Sequence, residues 1–184
     1  MLSLLGIPYE TIELEKDGSN QPENYLTISP FGQVPVIDDN GIQLADSNAI
    51  LVYLAKTYSV DDHWLPEDPI RAAKVQRWLS IAAGEMVSGP AIARFSKIFN
   101  REIDYETVEE KSHALFSMIN NNLSDKKFLT GDSINIADVA GYTYIAHAPE
   151  GGLKLDEYPN ILVWLDRIRQ QKGFISMASS PDPE

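Results

Sequence analysis

The 184-residue chain contains no cysteine, which excludes disulfides, thiolate metal sites and any cysteine nucleophile. Histidine is scarce as well. His63, His113 and His147 lie far apart, and no carboxylate or second histidine stands at ligand spacing from any of them, so a metal centre is not expected. Basic residues are outnumbered, 15 against 27 acidic, and the formal charge of −12 with a pI near 4.6 opposes binding to a nucleic-acid backbone or an anionic membrane. Long apolar runs are missing too. No stretch approaches the roughly 20 residues needed to cross a bilayer, and the apolar opening Met1 to Leu5 lacks the basic flank and length of a signal core. The expectation is a soluble, cytoplasmic protein with an ordinary core: 43% of residues are hydrophobic and 23% charged.

What is present is a pattern of short elements followed by helices. Residues 1–5 read as the last turn of a helix, with Gly6 as a left-handed stop and Pro8 just beyond. Tyr9 to Glu15 predicts a short strand with Ile12 and Leu14 on one face, and residues 16–22 a polar turn. Residues 34–38 and 42–45 predict a hairpin around Asn40-Gly41, a pair that tolerates the positive φ angles of a tight turn. From Ser47, Ile50, Leu51, Leu54 and Ala55 recur at helical spacing as far as Tyr58.

Residues 59–69 break both periodicities and hold two prolines, which makes them a linker. Helical patterns follow: Arg71 to Ser88 or beyond, Thr107 to Leu123, Asn135 to His147, and Asn160 to Gln171. The expected organisation is a first domain over 1–58, the linker, an all-helical domain over 70–178 and a loose tail over 179–184. Within the third of these helices, Asn135 and Asp138 form a capping box, with Ile134 and Val139 as a hydrophobic staple.

The most informative run is Ser29-Pro30-Phe31-Gly32-Gln33-Val34-Pro35-Val36-Ile37, followed by Asp46-Ser47-Asn48-Ala49-Ile50. Proline has no N–H for a ladder, so Pro35 marks backbone left free to face something other than a neighbouring strand. Asp-Ser opens a helix whose N-terminal N–H groups suit an anion. Taken singly, Val-Pro reads as an edge device and Asp-Ser as a plain N-cap. Their order and spacing together say more.

Together they resemble the glutathione transferase superfamily, in particular its bacterial-type cytosolic members. That resemblance runs from Met1 to about Phe174, through the Asn135-Ile136-Ala137-Asp138 box and the Pro159-Asn160, Trp164 and Arg167 segment. It implies an α/β plus all-α fold: a thioredoxin-like N-terminal domain, then an all-helical C-terminal domain. It further implies that glutathione, as co-substrate, is held by Gln33, Val34, Asp46 and Ser47, with Pro35 in the cis form shaping the turn.

By the same resemblance the electrophile pocket draws on Arg94, Phe95, Phe99 and Tyr142, and the protein is a homodimer that conjugates glutathione to, or reduces with it, a small electrophile in detoxification. The Ser, Cys or Tyr that activates the thiol is expected in a first strand and loop upstream of Met1, a unit of roughly 17 to 20 residues. Ser3 and Tyr9 are poor substitutes, since Ser3 lies within the last turn of the first helix and Tyr9 beyond its closing end. The alternative of another class is a non-catalytic module of the same fold that binds a protein partner.

Overall fold

A computed structural model describes residues 1–15 and 21–180. The expected turn over 16–22 and the tail over 179–184 therefore lie partly outside the described residues. Helix α1 (Leu2–Leu5) ends where Gly6 adopts φ 70° and returns its N–H to Ser3. A short helix not foreseen from the sequence, α2 (Tyr25–Ile28), precedes a hairpin of β1 (Val36–Asp39) and β2 (Ile42–Ala45). The hairpin is antiparallel, with Val36 opposite Ala45 and Asp39 opposite Ile42. Its turn residues Asn40 and Gly41 both take positive φ, 52° and 89°, as a two-residue turn matched to strand twist requires.

The strand predicted over Tyr9–Glu15 does not form. A strand is stabilised by its ladder, and among the described residues β1 and β2 pair only with each other. Ile12, expected on one strand face with Leu14, is 78% exposed.

Helix α3 (Ser47–Tyr58) packs Ile50, Leu51, Leu54 and Ala55 inward. The linker then crosses into the helical half. It is not merely a tether, because Trp64 is buried among the core side chains and its carbonyl accepts the N–H of Ile136.

One long rod follows: α4 (Pro69–Ile81), a π-helical segment (Ala82–Ala91) and α5 (Ile92–Ile98). Asp68 starts it by accepting the N–H of Arg71, and Pro69 occupies the first turn, where no N–H is needed. The helix continues past Ser88 through Pro90. Proline clashes with the carbonyl four residues back in an α-helix, and widening to π geometry lets the rod pass Pro90 without ending. Gly89 lets the neighbouring helix approach, since a Cβ there would stand 3.0 Å from Ser112 Oγ.

Helices α6 (Tyr105–Asn122), α7 (Ile136–Ala146) and α8 (Pro159–Arg169) complete the bundle. Phe116, Ile119, Ile136, Ile145, Trp164 and Ile168 meet at its centre, each essentially inaccessible. Asn135 and Asp138 form the expected capping box. Asp138 does more than cap: it also accepts N–H bonds from Leu129 at 2.8 Å and from the Trp164 indole at 2.9 Å, joining α7 to α8. Asn160 ties the start of α8 to Asn120 on α6 through two bonds, of 2.9 and 3.0 Å.

Candidate functional site

The turn before β1 is built by three residues that leave a fourth free. Gly32 takes φ 64° and its N–H bonds the carbonyl of Ser29. Ser29, nearly buried, accepts the Gln33 N–H at 3.0 Å and donates to the Gln33 carbonyl at 2.8 Å. Tyr25 donates to that same carbonyl at 2.8 Å. With Gln33 held on its backbone, the chain enters a cis Val34-Pro35 bond and only then joins the hairpin. The N–H and C=O of Val34 find no partner among the described residues. Val34 is 68% exposed.

The other half of the site is the start of α3. Asp46 sits at φ 74°, a conformation that costs an L residue about 1 to 3 kcal/mol. Its Oδ1 accepts the Ala49 N–H at 2.8 Å, and its other oxygen has no partner among the described residues. Ser47 is the first helical residue and is exposed. Asn48 fixes this end of the helix to the all-helical half by donating to the Leu79 carbonyl at 3.0 Å.

Val34, Gln33, Asp46 and Ser47 open onto one cleft of about 620 Å³. Its opposite wall is the π-helical segment and α5, through Ala83, Val87, Ala91, Ile92 and Phe95, closed by Tyr144 from α7. One wall is thus backbone and polar groups around a helix N-terminus, and the other is apolar. The first suits a small peptide with a carboxylate; the second suits an apolar group beside it.

Among the residues expected at the electrophile pocket, only Phe95 lines this cleft. Its ring packs on that of Phe99, with centroids 4.6 Å apart, but Phe99 itself is not in the lining. Arg94 is turned away, paired with Glu150 at 2.7 Å and bonded to Ser180. Tyr142 is buried against Phe174 and accepts a bond from Arg169. Tyr9 is about half exposed, and neither it nor Ser3 reaches the cleft.

Sequence reasoning missed Tyr25, Ser29, Asn48 and Tyr144. The first two carried a signal, a hydroxyl pair at helical spacing just before Gly32. Burial raises the Tyr144 hydroxyl above its ordinary pKa, and the nearby Asp46 charge adds to the effect. It therefore remains a donor at neutral pH.

Family models for the glutathione S-transferase N-terminal domain and C-terminal domain match residues 1–57 and 79–172. The chain belongs to the glutathione S-transferase family. Glutathione S-transferase theta-3 of Mus musculus is 30% identical over 180 residues, spanning 91% of this chain and 74% of that protein. Theta-1 of Bos taurus is likewise 30% identical, over 179 residues with the same coverage. A glutathione S-transferase from Pseudomonas fluorescens Pf-5 superposes with a TM-score of 0.86 at 30% identity, covering 95% of this chain and 89% of its own. A possible glutathione transferase from Rhodopseudomonas palustris gives 0.85 at 28%, with 98% and 90% covered. The described two-stranded hairpin with its helices, followed by the bundle, is the family's thioredoxin-like half and helical half.

Proposed function

We propose that the cleft binds glutathione and that the protein is a glutathione transferase, conjugating the thiol to a small apolar electrophile or reducing one with it. The observation that carries this reading is the unpaired N–H and C=O of Val34 beside the N-terminus of α3 on one cleft wall. An extended peptide adds to such an edge as a further strand, with its cysteinyl unit on Val34. The γ-glutamyl carboxylate then meets Ser47 and the helix N–H groups, and the ammonium meets Asp46.

This geometry reconciles an anionic ligand with a protein of charge −12, because the binding end is locally positive through helix N–H groups. Gln33 adds a neutral hydrogen-bonding amide. The activity of the mouse and bovine relatives, as their names state it, is extended to this chain on that basis. We take 1–58 as the glutathione-binding unit and 70–178 as the unit supplying the electrophile wall, in a cytoplasmic homodimer engaged in detoxification.

Calorimetric titration with glutathione tests the reading. One saturable site is expected, weakened in Ser47→Ala by about ten- to one-hundred-fold, the worth of a hydrogen bond to a charged group. Unchanged affinity in the variant removes Ser47 from the site, and no binding at all would favour a non-catalytic module.

A further inference from the structure

Ten asparagines occur in the chain, and only Asn40 is followed by glycine. The distinction is chemical. A main-chain nitrogen that attacks the side-chain carbonyl of the asparagine before it closes a five-membered imide, and a side chain on the following residue obstructs that approach. Gly41 carries none, and even a Cβ placed there would meet nothing within 4 Å.

Elsewhere the fold commits the nitrogen concerned. The N–H after Asn24 bonds the Pro22 carbonyl, that after Asn100 the Ser96 carbonyl and that after Asn135 the Trp64 carbonyl. Asn48 and Asn160 stand in the first turns of α3 and α8. The Gly41 N–H has no main-chain acceptor among the described residues and is held by the exposed carboxylate of Asp38, at 2.9 Å. Asn40 is exposed beside it.

The contacts of Asn40 decide what a change there does. Its amide nitrogen donates to Asp39 Oδ1 at 3.0 Å. Asp39 in turn joins the hairpin to α3, its Oδ2 accepting the hydroxyls of Tyr58 at 2.5 Å and Tyr53 at 2.7 Å. Those two bonds hold the Asp39 carboxyl below the ordinary carboxylate range.

We propose that Asn40 is the chain's site of spontaneous deamidation and that the product loosens the hairpin from α3. The Gly41 nitrogen gives its proton to water and bonds to Asn40 Cγ; the Cγ–Nδ2 bond breaks, and ammonia leaves carrying that proton. Water then adds to either imide carbonyl, and the ring opens to aspartate or isoaspartate. The sum consumes one water and yields a carboxylate and an ammonium. Either product sets a third carboxylate beside Asp38 and Asp39 where an amide donor stood, and neighbouring like charges repel. Isoaspartate also lengthens the main chain by one carbon, which a two-residue turn cannot absorb without disturbing its register. Val34 precedes this hairpin and Asp46 follows it, so the change reaches one wall of the cleft whatever the cleft binds.

The native chain and Asn40→Gly are aged side by side in warm, mildly alkaline buffer; a Gly-Gly turn keeps the positive φ angles and cannot form the imide. Peptide mapping with electron-transfer fragmentation locates the amide-to-acid change and separates the two products. Asn40 is expected to convert ahead of every other asparagine. The converted fraction, isolated by ion exchange, should melt about 2 to 4 °C below the unconverted one. Its amide exchange should quicken in the last turn of α3, which carries Tyr58. Freshly made Asn40→Asp should shift in the same direction, and aged Asn40→Gly should match its own fresh sample.

Another asparagine converting first overturns the assignment. So does an Asn40 that stays intact in the folded chain while a free peptide of residues 34–46 converts, since the turn then protects it. Unchanged exchange in the last turn of α3, in both the converted fraction and Asn40→Asp, overturns the loosening.

Discussion

Tyr25 donates its phenolic hydrogen to the main-chain oxygen of Gln33 at 2.8 Å, fixing the carbonyl one residue before the unpaired backbone of Val34. Ser29 donates to the same oxygen and accepts the N–H of Gln33. Val34 is thereby presented by groups that need not touch a ligand. Tyr25→Phe keeps the buried ring and removes only the donor, so it should cost about 1 kcal/mol of stability. The looser turn should weaken glutathione binding about three- to ten-fold. Urea unfolding and calorimetry on the same samples read both effects, and unaltered affinity would show that the turn holds its shape without Tyr25.

Asp138 is enclosed between α7 and α8, and burial raises its carboxyl pKa to about 6 against the pull of N–H donors from Leu129, Trp164 and Asn135. Unfolded, it titrates near 3.9. Its folded form thus binds the proton more tightly, so the associated stability is full below about pH 4 and is lost as pH rises to about 6. Measured against Asp138→Asn, which cannot ionise, the native chain should lose up to about 3 kcal/mol across that window and stay level above it. Asp138→Ala strands several buried donors and should destabilise at every pH, by about 3 kcal/mol or more. A native-minus-Asn difference that rises with pH would reverse the sign of the argument.

Glu150 behaves in the opposite sense. Burial works to raise it, but His147, Arg94 and the Ser180 N–H together outweigh that and bring it down to about 2. The stability it contributes is present above the unfolded value of roughly 4.3 and lost as pH falls toward 2. Allowing for partial exposure, Glu150→Gln should cost about 2 kcal/mol at neutral pH, with the gap closing in acid. Arg94→Ala removes the same pairing from a position outside the cleft lining. It should lower the melting temperature and leave glutathione affinity alone; a large loss of affinity would bring Arg94 back to the site.

Gly151 is required by contact. A Cβ there would stand 2.6 Å from the Arg94 nitrogen and 2.8 Å from the Ala93 carbonyl carbon. Gly151→Ala must push α5 away from the turn after α7, at about 1 to 3 kcal/mol. A variant as stable as the native chain would show that this contact yields easily.

Features set by neighbouring residues were legible in the sequence. Gly6, Asn40-Gly41 and Asn135 with Asp138 act within a few positions of themselves, and the structure places a helix stop, a hairpin turn and a capping box there. The strand expected over Tyr9–Glu15 depended on a ladder partner that local pattern cannot supply. The helix expected from Arg71 to Ser88 or beyond does run on, but the sequence does not announce that it widens around Pro90.

The apolar wall of the cleft was the hardest part to read. Tyr142 and Tyr144 are two residues apart on α7 and so about 200° apart around the helix. With Ile136, Ala137, Gly141 and Ile145 also buried, α7 has no polar face to show which tyrosine meets a cleft. The wall formed by Val34 and the start of α3 was easier, because a Val-Pro turn and an Asp-Ser helix start each leave backbone groups unpaired by their own chemistry.

Amide chemical shifts, recorded while glutathione is titrated into the protein, test the central claim most directly. Val34, Ser47 and Asn48 are expected to move together and saturate with a single dissociation constant. Shifts confined to amides outside the cleft, with Val34 and Ser47 unmoved, would contradict it.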